Sequence, residues 1–527
     1  MKKLSEPLRG HVEPLLHRRQ FVIGPKPIKY RNDWNCVELG RSCYLSHCPT
    51  LPVRTVCDSE GVPWHLIALA IQTHPDQSDP VDDISRALTQ DMEDLYESWA
   101  GRWILIGNGE LHLDAAGTLG CYYLEAIATK EDCPVWISSS IALLCELAGD
   151  YVGRKDPREL RWNQGIDWFP LPGSRFSLMR KLLPSQVLRL VDGSVRPRRL
   201  IRHVDHTLSY AQILEGMEAA LVTFMKRIHK RRRRVWLGLT GGLDSRLLLA
   251  AASKARIPIR TYTQEYRALP YGGGRRASLS LADRLLPKQL AAAVGLDHVL
   301  IRAGRFDEEK AALFDAHCAR SSLEAGARHY YASGQYEFGD PGDIILTGNC
   351  IPVGRCAYWR RFADIHVPDA EKLAAVFGER GDSRTALLLD EWIKWADQSP
   401  QPGLDWRDRF EIEQREAGWV SDSVQAMELA EKQFCFPFNC SSFFALSLLV
   451  APEKRGPGQH QRDLIRHMAP QLLEAPTNPD DAYFPALTRL YWHWRDDPLY
   501  PVTWAKLRYS RVFHRSKIMR AEVIKTS

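Results

Sequence analysis

Two textures of hydrophobic and polar positions divide the chain. Up to about residue 205 short apolar runs are punctuated by Gly, Pro and Asp, as in Arg102-Trp-Ile-Leu-Ile-Gly107, Glu110-Leu-His-Leu-Asp114 and Pro134-Val-Trp-Ile-Ser138. Runs of this length, rich in aromatic and branched residues and bounded by turn formers, predict strands of a mixed sheet domain. From Tyr210 the period lengthens. Tyr210 to Arg227 is helical, Arg234-Val-Trp-Leu-Gly-Leu239 is strand-like, a helix follows from about Asp244 to Ala255, and Ile257-Pro-Ile-Arg-Thr-Tyr262 predicts a second strand. Strand, helix and strand in about thirty residues form a βαβ unit, which requires a parallel sheet. The chain therefore divides into residues 1–205 and 206–527, with the joint near residues 192 to 208, where Asp192-Gly193, Pro197 and a basic cluster break the pattern. The stretch Gln264 to Ser280, with its run Gly272-Gly-Gly274, predicts a loop that is either a lid or a plain surface excursion.

Length and composition agree with two domains. A chain of 527 residues is too long for one ordinary core. With 45% hydrophobic and 25% charged residues, and no apolar run near the roughly 20 residues a membrane span needs, it reads as globular with no membrane span. The start MKKLSEPLRGHVEPLLHRRQ lacks an apolar stretch and so fails as a secretory signal, which predicts a cytoplasmic protein. Twelve scattered cysteines without a CxxC pair predict reduced, packed thiols and no structural zinc. The net charge of +6 is small and concentrates in Lys230 to Arg234 and Lys506 to Arg520, without a binding module, so no nucleic-acid partner is expected.

Candidate chemistry centres on Leu239-Thr240-Gly241-Gly242-Leu243-Asp244-Ser245-Arg246, between a strand and the following helix. Glycines there let the backbone approach an anion, and the helix start offers N–H groups and a positive dipole end. Thr240 and Ser245 add hydroxyls, and Asp244 can hold Mg2+ against phosphate oxygens. The same letters also fit a plain tight turn with Asp244 or Ser245 as helix cap. No lysine follows the glycines at Walker spacing.

The loop resembles the pyrophosphate-binding SGGxDS loop of the ATP pyrophosphatases, and in particular the TGGxDSR form of asparagine synthetase relatives. The likeness extends in order along the chain: Gly101–Gly107, Asp114–Tyr123, Val135–Leu144, Phe169-Pro-Leu-Pro-Gly173, Leu182–Leu188, Leu281–Val299, Ile345-Leu-Thr-Gly348 and Phe436-Pro-Phe-Asn439. The resemblance implies an α/β fold: a Rossmann-like parallel sheet of the ATP pyrophosphatase type after an N-terminal α+β glutaminase-like (Ntn-type) sandwich. It implies ATP and Mg2+ as cofactors, held by Leu239, Thr240, Gly241, Gly242, Asp244, Ser245, Tyr262, Thr263 and Gly348.

This chain also departs from the family. Lys2 stands where the glutaminase nucleophile would be a cysteine, so glutamine hydrolysis is not expected, because lysine supplies no thiolate. Such a domain without its nucleophile resembles the branch of β-lactam synthetases and lasso-peptide cyclases. After Thr347-Gly348 the chain reads Asn349-Cys-Ile-Pro-Val-Gly354, without the acidic metal ligand of relatives, and a phosphate-binding lysine is missing around Ala475-Pro-Thr-Asn-Pro479. Arg246, Lys432, Lys454 and Arg466 are the candidate replacements. The implied reaction is adenylation of a carboxylate and attack by an amine, on a small molecule or peptide carrying both groups, with a partner protein of a biosynthetic pathway also possible. Catalytic candidates are Arg246 and, as general base, Glu411 or Glu413 in the helical run Glu411 to Ser423, where Glu411 and Arg415 also suit a plain i to i+4 surface pair. His317, His329 and His460 are isolated and receive no role. The alternatives are an ATP-binding protein that has lost adenylation and a ligase fed with ammonia.

Overall fold

The computed structural model describes residues 17–29, 33–40, 42–124, 135–156, 168–231, 233–265, 275–302, 338–379, 383–429 and 431–477. Lys2, Gly272–Gly274, His317, His329 and Lys506–Arg520 lie outside the described residues.

Among the described residues the first half carries twelve strands: β1 (Phe21–Gly24), β2 (Asn35–Gly40), β3 (Cys43–His47), β4 (Val53–Cys57), β5 (Pro63–Gln72), β6 (Trp99–Gly107), β7 (Glu110–Leu113), β8 (Tyr122–Leu124), β9 (Ile137–Ser138), β10 (Met179–Lys181), β11 (Gln186–Arg189) and β12 (Val195–Pro197). They form two six-stranded sheets, ordered β10-β8-β9-β1-β3-β2 and β12-β11-β7-β6-β5-β4, in which the paired strands run antiparallel. One core joins them: Phe21, Ile23, Leu45 and Ile137 from the first sheet meet Ile67, Ile104, Ile106 and Leu113 from the second. The other face of β5 and β6 is covered as well, with Trp64, Leu66, Trp99 and Trp103 packed on Ile84, Met92 and Tyr96. Burial on both faces explains why Trp99–Gly107 reads as a continuous apolar run rather than an alternation. The Asp192-Gly193 turn joins β11 to β12, so the break in the sequence pattern starts inside this hairpin.

The second half is α/β. Its five strands among the described residues are β13 (Val235–Gly238), β14 (Arg260–Glu265), β15 (His298–Arg302), β16 (Ile344–Leu346) and β17 (Gln433–Cys435), all parallel, in the order β15-β14-β13-β16-β17. Helix α1 (Tyr210–Lys230) precedes them. Ser209 and Gln212 cap it reciprocally, Ile213, Met217, Leu221, Phe224 and Ile228 bury one stripe, and Arg227, His229 and Lys230 lie at its negative end. Each fully buried side chain of that stripe is worth roughly 1.5–3 kcal/mol. Helices α2 (Leu243–Ala255) and α3 (Arg275–Ala293) connect the first three strands. Among the described residues no helix is long and apolar enough to cross a membrane.

Polar anchors join the halves. Asn439 Nδ2, after β17, donates to Gly101 O at 2.7 Å, Asp114 Oδ1 at 2.8 Å and Thr118 Oγ1 at 3.1 Å. Glu428 pairs with Arg102 at 2.5 Å and Arg19 at 3.4 Å, and Asp422 with Lys181 at 2.6 Å. Arg231 joins this packing, at 2.6 Å from Asp79.

Candidate functional site

The strand order fixes where a crevice must open. The chain winds outward from β13 through β14 to β15, then returns to β16 on the other side of β13. The strand order therefore reverses between β13 and β16, and the carboxyl edge at such a reversal is the place where open α/β sheets bind ligands. The loop leaving β13 is Leu239–Gly242, and that leaving β16 starts at Thr347.

Hydroxyls stitch the first loop together. Thr240 N–H donates to Ser245 Oγ at 3.0 Å, and Gly242 N–H to Thr240 Oγ1 at 3.3 Å. Gly241 N–H donates to Asp283 Oδ1 of α3 at 2.9 Å, so a carboxylate already uses one amide of the turn. The N-cap of α2 is Gly242, without a side-chain cap bond, so neither Asp244 nor Ser245 is the cap. Asp244 lies in the first helical turn, where the positive dipole end favours its charge. Its Oδ1 accepts from Arg355 Nη1 at 3.1 Å and Gln461 Nε2 at 3.0 Å, and its Oδ2 from Arg355 Nη1 at 3.3 Å.

Three predicted residues support the loop from below or beside it. Leu239 N–H donates to Tyr262 O at 2.8 Å, the Thr263 hydroxyl donates to Leu239 O, and the Tyr262 ring packs against Phe338 with centroids 4.7 Å apart. Gly348 touches the start of α2 so closely that a Cβ there would lie 2.9 Å from Asp244 Cβ and 3.1 Å from Ser245 N. The two loops of the switch point are thus in direct contact.

Arg246 is fully buried and holds backbone. Its guanidinium donates to Leu472 O at 2.9 Å, Ala475 O at 2.8 Å, Gly241 O at 3.1 Å and Pro476 O at 2.6 Å, tying the loop to the segment 472–476. The other proposed cations lie elsewhere. Lys432 precedes β17, at the amino edge opposite the crevice; Lys454 stacks on Tyr210 at 4.2 Å; Arg466 pairs with Asp463 at 2.5 Å. Among the described residues the cation paired with Asp244 is Arg355, in a short helix (Pro352–Arg355) after β16. Composition carried no signal for it, because Gly354-Arg355 belongs to no motif and only folding brings it to Asp244.

A long helix behind the crevice carries the acidic candidates. It runs as α-helix over Trp406–Phe410, as the wider π-helix over Glu411–Val420, and as α-helix again over Ser421–Glu428. Glu411 and Glu413 separate into different surroundings. Glu413 is buried between Trp392 Nε1 at 2.7 Å and Arg409 Nε at 2.9 Å. Glu411 is equally buried and pairs with Arg415 at 3.0 Å, the i to i+4 contact that the spacing allows, and Arg415 also meets Glu416 at 3.1 Å. Burial raises both the Glu411 and the Glu416 carboxyl above the ordinary range, against the opposing pull of Arg415. Glu411 Oε2 is buried with no hydrogen-bond partner among the described residues.

Glu416 was not visible as a site residue. On an α-helix of 3.6 residues per turn, positions five apart face different ways, but the i to i+5 geometry of a π-helix stacks them. Glu416 reaches the β16 loop, where Cys350 Sγ donates to its Oε2 at 3.5 Å, and Cys350 itself has a left-handed backbone with φ +68°. Asp244 is among the charges that raise the Glu416 carboxyl, so the two acids share one field. The acid behind this loop thus comes from the long helix and not from the loop. No protein-family model and no curated protein matches the chain. His460 sits buried beside Gly354, and burial lowers its imidazole to about 4, so it is neutral at neutral pH.

Proposed function

We propose that the chain is an ATP-dependent, amide-forming ligase that adenylates a carboxylate and passes it to an amine, releasing AMP and pyrophosphate. The observation that carries this reading is the Thr240–Ser245 turn at the switch point of a parallel sheet, with Gly348 packed against its helix start. In this reading the second half is a Rossmann-like domain of the ATP pyrophosphatase type, and the first half a glutaminase-like sandwich.

Mg2+ fits the residues in a limited way. Among the described residues no group of three or more His, Cys, Asp and Glu could hold a metal ion. One carboxylate together with substrate phosphates is, however, the usual way this ion is bound, and Asp244 supplies that carboxylate. The bound ion would neutralise charge developing on the phosphates. The first turn of α2 would orient the phosphates through its N–H groups, and the buried Glu411 carboxyl, with Oε2 unpaired among the described residues, would accept the proton of the attacking amine once it is ionised.

Pyrophosphate exchange into ATP, measured with a panel of carboxylic acids, tests the reading. Exchange that depends on one acid and is lost in Asp244→Asn is expected; nucleotide binding without exchange by any acid would instead support an ATP-binding protein without ligase chemistry. That second reading has its own support, since Arg355 and Asp283 already satisfy groups that a nucleotide and its metal would use.

A further inference from the structure

We propose that Arg355 is the phosphate-binding cation of this site and that it exchanges between Asp244 and a bound triphosphate. The inference rests on reading the loop as a nucleotide site, and it supplies the cation whose absence around Ala475–Pro479 the sequence left open. A triphosphate needs more than this turn offers. The amides of Thr240, Gly241 and Gly242 already donate to Ser245 Oγ, Asp283 Oδ1 and Thr240 Oγ1. The first turn of α2 and a nearby cation must therefore carry the attraction.

Arg355 is placed for that role. It comes from the segment after β16 and pairs with Asp244 in the first turn of α2, so it links the two loops of the switch point. The pair is open to water, with 26% of the Arg355 and 30% of the Asp244 side chain exposed. A pair this exposed is weak and easily opened. A planar guanidinium suits phosphate oxygens better than a lysine does, since it offers parallel donors. While Arg355 neutralises Asp244, a divalent cation without nucleotide gains little there. When Arg355 turns to the phosphates, the carboxylate is left for the cation that accompanies them. Gln461 supports the second state. Its amide nitrogen bonds Asp244 while its buried Oε1 meets no donor among the described residues, so turning the amide over presents an oxygen to a cation on Asp244.

The exchange makes the two affinities move in opposite directions when Arg355 is removed. Calorimetric titration of the full chain with Mg2+ alone and with ATP plus Mg2+ would compare the parent with Arg355→Gln. Loss of one charge-assisted phosphate contact should weaken ATP plus Mg2+ by roughly tenfold to a hundredfold. Mg2+ alone should bind several-fold more tightly, because Asp244 no longer has a competing cation. Arg355→Lys, which keeps the charge, should recover part of the nucleotide affinity and guards against a folding artefact. If the parent binds no ATP, the nucleotide reading falls and this inference with it. If the parent binds ATP and Arg355→Gln binds it equally well, the nucleotide reading stands and Arg355 is not the phosphate cation. If Arg355→Gln weakens Mg2+ and nucleotide together, the exchange is overturned.

Discussion

Gly348→Ala tests whether the contact between the two loops fixes the site. The added methyl would lie 2.9 Å from Asp244 Cβ, 3.1 Å from Ser245 N and 3.2 Å from Asp244 C. Carbon atoms pack best at about 3.5–4.0 Å, so either the end of β16 or the first turn of α2 must retreat by roughly 0.5–1 Å. Two of the three atoms are backbone, which no side-chain rotation can move aside. Overpacking of this kind costs about 1–3 kcal/mol, and at under about 2 °C per kcal/mol for a domain of more than about 300 residues the melting temperature should fall by a few degrees. Displacing α2 also moves Asp244 and the Thr240–Ser245 bond, and a shift near 1 Å costs roughly a hundredfold in turnover. The assay is thermal melting alongside ATP titration, with Gly456→Ala as control. Gly456 has helical backbone, φ −50° and ψ −54°, and its nearest contact is Pro452 O at 3.4 Å, so alanine there should be neutral. If Gly348→Ala melts with the parent and binds ATP equally, the close approach does not hold the loop and the argument fails.

Arg246→Met should lower stability by at least about 3 kcal/mol in urea, because it strands four carbonyls that Arg246 now satisfies; a variant as stable as the parent yet inactive would return Arg246 to a catalytic role. Arg409→Met should cost about 3–5 kcal/mol by leaving Glu413 buried beside Trp392 without its cation, whereas adding Glu413→Gln should recover much of the loss; equal instability of single and double variants would refute the ion-pair account. Burial raises the Asp408 carboxyl to about 6 although Arg455 opposes it. A raised carboxyl stabilises the fold fully below its unfolded value near 4, and that contribution is lost as pH rises through about 6. The urea midpoint of Asp408→Asn should therefore gain on the parent between pH 4.5 and 7, and a constant difference would contradict the assignment. Because burial holds Glu411 protonated beyond the usual carboxyl range, turnover in the proposed ligase reaction should climb through neutrality, and Glu411→Gln should remove that climb if Glu411 is the base.

Local pattern alone marks β6, β13, α1 and α2, because each has a hydrophobic period or a capping signal of its own. Pattern also marks Thr240–Ser245 as a turn between strand and helix, since two glycines followed by polar residues leave few other backbone solutions. Element ends moved by a few residues: the predicted strand Ile257–Tyr262 is Arg260–Glu265, and the run Pro134–Ser138 contributes only Ile137–Ser138 as strand. What lies beside the turn was decided by tertiary structure. Asp244 meets Arg355 across 111 positions and Gln461 across 217, separations at which no local period carries information. Glu413 looked equivalent to Glu411 because both sit in one helical run, and only packing against Trp392 and Arg409 separates them. Glu416 became a neighbour of the β16 loop through a π-helical stretch, a backbone choice that α-helical periodicity cannot express. Sequence thus determined which segments form strands, helices and the turn, because those follow from short-range sterics and periodic burial. The charges surrounding the turn depend on which distant segments share the crevice, and strand order and close packing alone set that.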